Sequence, residues 1–136
     1  MKQISLYFVL LLLAVTLPSA KNGDLILFDT TTFDFGTVTD TAEPITYEYE
    51  FVNVSDNAVA VLSVSTGCGC TRPEYPTEPI AAGKKGRIKI SFLPAGQSGE
   101  VDRSIKVRYR GAKDSSSKRI TLRLRGVVVP TNADKK

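Results

Sequence analysis

With 136 residues and a formal net charge of +4, the chain has the size of one domain with its own hydrophobic core. Histidine is absent, so neither a Ser-His-Asp triad nor a Cys-His pair can be assembled from it, and no enzymatic activity is expected. The only methionine is Met1 and only two cysteines are present, too few soft or imidazole ligands for a closed tetrahedral zinc site.

The first twenty residues, MKQISLYFVLLLLAVTLPSA, place Lys2 before an apolar run from Ile4 to Val15, broken only by Ser5, and end in Ser19-Ala20. This is the pattern of a secretory signal peptide over residues 1–20, with cleavage expected near Ala20. The run falls short of the roughly 20 apolar residues of a membrane span, so no transmembrane anchor is expected after cleavage. Beyond the cut the charge is divided. Lys21 to Ile80 holds two basic and ten acidic residues, whereas Ala81 to Lys136 holds 15 basic and four acidic ones. Such a division implies either pairing between the two halves or an anionic partner.

From Asp24 onward the pattern is strict alternation separated by Gly-, Pro-, Asn-, Asp- and Ser-rich turns. A first strand is expected near Leu25 to Phe28. Asp34-Phe35-Gly36 spells a kinase-like triplet, but no glycine-rich loop, strand lysine or catalytic loop accompanies it, so Phe35 is read as inward and Gly36 as a bend. ITYEYEF sets Ile45, Tyr47, Tyr49 and Phe51 against Thr46, Glu48 and Glu50. Further strands are expected over Val59 to Ser65, briefly near Pro79 to Ala81, and over Arg87 to Phe92. Gly83-Lys84-Lys85-Gly86 lacks the spacing of a phosphate loop and reads as a hairpin turn. Glu48 and Glu50 are expected to face Arg87 and Lys89 across a ladder. Ser104 to Arg110 and Arg119 to Val129 complete a count of about seven. Seven short antiparallel strands between Asp24 and Pro130 predict an all-β, immunoglobulin-like β-sandwich, with residues 131–136 as a flexible C-terminal tail.

Two features stand out from this frame. Cys68 and Cys70 flank Gly69 at the end of the Val59 strand, ahead of the proline-rich TRPEYPTEP, which reads as a stiff exposed connection. On an extended strand their Cα atoms would sit near or beyond the roughly 6.8 Å limit of a relaxed disulfide, so Gly69 is expected to bend the chain. A three-residue loop stabilises by only about 1.6 kcal/mol in the chain-entropy account. The pair therefore reads as an oxidised rim or interface feature, as a reducible disulfide in thiol-disulfide chemistry, or as a copper(I) ligand pair. The second feature is a cationic stripe. Lys106, Arg108 and Arg110 alternate outward on one strand and Arg123 and Arg125 on the next, with no acidic residue inside either expected strand. Like charges opposed across a hairpin are destabilising, which marks the stripe as a candidate surface for an acidic partner.

The segments FDFGTV (Phe33 to Val38), YEFVNVSDNAVAVLSVSTGCGCT (Tyr49 to Thr71) and IAAGKKGRIKISF (Ile80 to Phe92), followed by Gly99, resemble the bacterial domain of unknown function 1573 family. The shared order is a Phe-Gly-x-Val opening, an Asn after a strand, a Cys-Gly-Cys-Thr end and a turn that here reads Ala82-Gly83 where Pro-Gly is usual. The resemblance implies an exported immunoglobulin-like domain related to the ASH and major-sperm-protein-like group, whose better-known members bind other proteins. It implies no reaction. The combined expectation is a non-enzymatic binding or structural module of the envelope, in the periplasm or at the surface of a Gram-negative bacterium. Its partner is expected to be another envelope protein or an anionic surface, with no nucleic acid and no cofactor. The alternative is a thiol-disulfide or copper(I)-handling protein centred on Cys68 and Cys70. Protein recovered from the native envelope is expected to begin near Lys21 by N-terminal sequencing or intact mass; an intact Met1 there refutes export.

Overall fold

Burying one face of every alternating strand requires two sheets packed against each other, and the computed structural model, which describes residues 24–131, has that arrangement. Eight strands form: β1 (Ile26–Phe28), β2 (Thr32–Thr39), β3 (Ile45–Asn53), β4 (Val59–Ser65), β5 (Thr71–Glu74), β6 (Lys85–Phe92), β7 (Gly99–Gly111) and β8 (Lys118–Val129). One sheet has the order β1-β3-β6-β5 and the other β2-β8-β7-β4. All neighbours are antiparallel except β2 and β8, which run parallel. The all-β, immunoglobulin-like sandwich expected from the sequence is therefore present. The signal peptide expected over residues 1–20 lies outside the described residues, as do residues 132–136. Thr131 is described, and its amide and hydroxyl both donate to Asp40, the amide at 2.9 Å. These bonds to the ionised form, the hydroxyl's first, hold the Asp40 carboxyl below its ordinary pKa.

The strand count differs from the expected seven in three places. β2 is a full strand, although a bulge between Asp34 and Thr37, with Gly36 at φ +75°, interrupts its period. The TRPE segment is not a free connection but β5, paired with β6. The short strand expected at Pro79 to Ala81 reduces to one bridge between Ile80 and Val59.

Between the sheets, Tyr49, Phe51, Ile88, Ile90 and Phe92 from one side meet Ile105, Val107, Leu122 and Leu124 from the other, all buried. Two glycines make room for aromatic rings. A Cβ on Gly86 would lie 2.4 Å from the Phe51 ring, and one on Gly126 would lie 2.2 Å from Phe35, which stacks on Phe92. Tyr49 also crosses the core, donating its hydroxyl to the Arg123 carbonyl at 2.6 Å. Burial, above all, raises its pKa well above the ordinary tyrosine value.

Asn53, at the end of β3, is fully buried. Its side-chain amide donates to the carbonyls of Asn57 at 2.8 Å and Ile80 at 2.9 Å, while its Oδ1 accepts from the amide and hydroxyl of Ser55. Its backbone pairs with Lys84 and Gly83. One side chain thus joins the β3–β4 turn to the segment that enters β6. Buried carbonyls left without donors cost about 1–3 kcal/mol each. Asn53→Ala is expected to lower unfolding stability by about 3 kcal/mol or more. Asn53→Asp is expected to be similarly unstable at neutral pH, and to recover part of the loss as pH falls, because a protonated carboxyl regains one donor. Denaturant melts of both variants against pH test this; a loss below about 1 kcal/mol contradicts it.

Candidate functional site

The alternation that turns Ile105, Val107 and Tyr109 inward sends Lys106, Arg108 and Arg110 outward, and the same rule on β8 exposes Arg119, Arg123 and Arg125. All lie on the outer face of the β2-β8-β7-β4 sheet. Arg119 follows the same period as Arg123 and Arg125, so its place on this face could have been read from the sequence. Register then arranges the charges. Arg108 stands directly opposite Arg119, Lys106 opposite Thr121, Ser104 opposite Arg123 and Asp102 opposite Arg125.

The expectation that no acid lies within these strands is corrected here. β7 starts at Gly99 rather than Ser104, and so includes Glu100 and Asp102. The Asp102 carboxylate sits 3.1 Å from the Arg123 guanidinium. On the other flank of β8, Asp34 of β2 is in register with Arg125. A cavity of about 280 Å³ at this end is lined by Asp34, Glu100, Asp102 and Arg125 among others. The five-residue stripe is therefore divided. Arg123 is ion-paired and Arg125 stands in register with Asp34 and Asp102, whereas Lys106, Arg108, Arg110 and the added Arg119 have neither an ion pair nor an acid in register among the described residues.

The opposite sheet shows what the acidic half of the chain does instead. Glu48 is in register with Lys89 and Glu50 with Arg87, as expected. Both glutamates pair with Arg87 at 3.4 Å, while Lys89 turns to Glu74 of β5 at 3.8 Å. These exposed pairs add little stability. They do match Arg87 and Lys89 with acids, while Lys85 and Arg72 of the same sheet have no carboxylate within ion-pairing distance among the described residues.

Beside the unmatched cations, β4 presents small outward residues. Ser65 is in register with Lys106, Ser63 with Arg108 and Ala60 with Arg110. A hollow of about 200 Å³ is lined by Ser63, Ser65, Lys106, Val107, Arg108 and Arg119. Chemically this end offers guanidinium, ammonium and hydroxyl donors and suits carboxylate or another oxyanion.

Cys68 and Cys70 occupy the corner where the chain leaves β4 on one sheet and enters β5 on the other. Their sulfurs lie at disulfide distance, with Cα atoms 5.3 Å apart. The left-handed residue of the bend is Gly67 (φ +67°) and not Gly69, which is a central residue of the turn closed by the Thr71 amide on the Cys68 carbonyl. Thr66 donates its hydroxyl toward the Thr71 and Cys68 carbonyls, and the Leu93 amide donates to the Cys70 carbonyl. Both cysteines are half-buried. A cavity of about 330 Å³ beside Cys70 includes Arg72, Glu74 and Leu93 in its lining. Among the described residues, no three His, Cys, Asp or Glu side chains are grouped to hold a metal ion.

The family described as "Protein of unknown function (DUF1573)" matches residues 26–128. The chain belongs to this family. No curated protein matches the DUF1573 chain. Among solved structures, it is similar to the ASH / PapD-like domain of human CEP192, at 15% identity and a TM-score of 0.67, covering 85% of this chain and 94% of that one. It is also similar to a C. elegans MSP family member, at 17% identity and a TM-score of 0.54, covering 79% and 100%. A third is AggA, the major subunit of aggregative adherence fimbriae type I from Escherichia coli, at 12% identity and a TM-score of 0.51, covering 76% and 93%. In two further structures the DUF1573 chain spans only 32% and 51% of the other chain's length. At these identities the likeness concerns the fold.

The corner bonds made by Thr66, Thr71 and Leu93 do not require the sulfurs. Replacing both cysteines, Cys68→Ser with Cys70→Ser, is accordingly expected to cost no more than about 2 kcal/mol, in keeping with the three-residue loop. Intact mass with and without reduction, together with denaturant melts, checks this. A loss above about 3 kcal/mol means that the bridge constrains far more than its own loop.

Proposed function

We propose that the protein is an exported, non-enzymatic module of the bacterial cell envelope that binds an acidic partner through the outer face of its second sheet. The observation that carries this is the opposition of Arg108 to Arg119, flanked by Lys106 and Arg110, with no carboxylate within ion-pairing distance of any of the four among the described residues. Placing like charges opposite each other on a ladder works against the fold, and a carboxylate-rich partner removes that penalty. Arg123 and Arg125 stand among Asp34 and Asp102, and Asp114 lies beside Arg110, so the unpaired positive charge centres on Lys106, Arg108 and Arg119 and fixes where a partner docks. Export is supported by the signal pattern of residues 1–20 and by a cysteine pair at disulfide distance. The likeness to a fimbrial subunit supports an envelope setting at the level of fold. In this reading Cys68 and Cys70 form the corner that fixes the end of β4, and they are not a reactive centre.

Polyaspartate is a suitable probe. The wild-type protein is expected to bind it near 0.01 M salt and to weaken sharply toward 0.1 M, as the screening length falls from roughly 30 to 10 Å. Arg108→Gln with Arg119→Gln is expected to weaken binding by about tenfold or more while leaving the thermal midpoint equal or raised at low salt. Arg87→Gln with Lys89→Gln, which removes two ion-paired cations from the other sheet, is the control. Equal losses in both double variants refute the assignment.

A further inference from the structure

We infer that β4 is a docking edge to which an extended acidic segment of another protein adds as a fifth strand, with carboxylates at alternate positions over Ser63 and Ser65. This rests on the acidic-partner reading above and names the form the partner takes.

The sandwich has four edge strands, and they are not equivalent. β1 has three residues, and β5 has four, including Pro73. β2 is broken by its bulge at Gly36 and carries Asp34 beside Asp102 and Glu100. β4 runs for seven residues, VAVLSVS, without a charge or a proline. Among the described residues, its outer side carries backbone bonds only at Val59, through the two bonds with Ile80 at 2.8 and 2.9 Å. A bulge between Val61 and Ser63 leaves Ser63 to Ser65 as the regular open stretch. Edges without charge, proline or cover are those that accept an added strand.

Charge and spacing then select the occupant. An added strand would lie about 4.8 Å beyond β4 and about twice that from β7. Between them stand only the hydroxymethyl groups of Ser63 and Ser65, over which the long side chains of Arg108 and Lys106 can lean. The 200 Å³ hollow is the space this leaves. Side chains on one face of a strand recur about every 6.8 Å, so an acid-x-acid sequence meets Arg108 and Lys106 in turn. One step further along, the hollow at Ala60 and Arg110 is also lined by Asp114, which disfavours a third carboxylate.

A second copy of this chain does not fit. Joining two β4 edges would bring two cationic stripes together. The chain's own acid-x-acid sequences, Glu48-Tyr49-Glu50 and Glu100-Val101-Asp102, are held within its own sheets, the first laddered to β6 and the second to β8. The occupant is therefore a different protein.

The test uses the wild-type protein and two fluorescent peptides of about nine residues with alternating glutamate and threonine, one of them N-methylated along the edge that would pair. Anisotropy reads affinity, and amide hydrogen exchange reads the site. The plain peptide is expected to bind and to slow exchange within Val61 to Ser65, and the N-methylated one to bind about tenfold or more weakly. If both peptides bind alike and both are lost in the Arg108→Gln, Arg119→Gln variant, the charge reading stands and strand addition is overturned. If neither peptide binds while polyaspartate does, strand addition is likewise overturned. If polyaspartate also fails, both readings fall. Slowed exchange in β2 in place of β4 overturns the choice of edge.

Discussion

The buried amide of Asn53 is the constraint on which the placement of the other parts depends. It sits where three segments that share no ladder must converge: the end of β3, the turn through Ser55 and Asn57, and the strand-free stretch ending at Ile80. Each of its polar atoms is matched, so the convergence has a single low-energy arrangement. By holding the Ile80 carbonyl it also sets the Val59–Ile80 bridge, which covers the start of β4 and leaves its far half open. The Cys68–Cys70 corner holds β4 from the other end. Between these two fixed points no described strand pairs with the outer edge of β4, and its small outward residues expose the cations of β7.

The uneven charge of the sequence resolves differently on the two sheets. On the first, acids of β3 and β5 flank Arg87 and Lys89 of β6, so part of the division of charge along the chain is cancelled in space. On the second, β7 and β8 are both drawn from the basic part of the chain and lie side by side. Asp34, Glu100 and Asp102 temper them at one end and Asp114 beside Arg110 at the other, which leaves Lys106, Arg108 and Arg119 between. Sequence distance is thus a poor guide to charge balance; strand order decides it.

Most of the architecture was legible because burial on one face forces period-two alternation, which is plain in β3, β6, β7 and β8. β2 was not counted because its bulge shifts Val38 out of phase with Phe33 and Phe35. β5 was hidden because Pro73 argues against a strand, yet proline is tolerated on an edge. The early part of β7 was missed for a different reason. Arg103 occupies an inward position, where its guanidinium reaches Gln97 at 3.0 Å, and a charge there breaks the expected pattern. That one residue concealed Asp102, and with it the division of the cationic stripe. The hollow over Ser63 and Ser65 had no local signal, since it arises only from the register of β4 on β7.

The parallel pairing of β2 with β8 has a mechanical consequence. A pull applied at the two ends of the domain draws β2 by its first residue and β8 by its last, and because the strands run the same way the two forces slide them past each other. The rungs on both sides of the bulge, Thr32 to Asp34 and Thr37 to Thr39, are then strained together. Stretching therefore loads the β2–β8 seam in shear, at the opposite side of the sheet from the edge at β4.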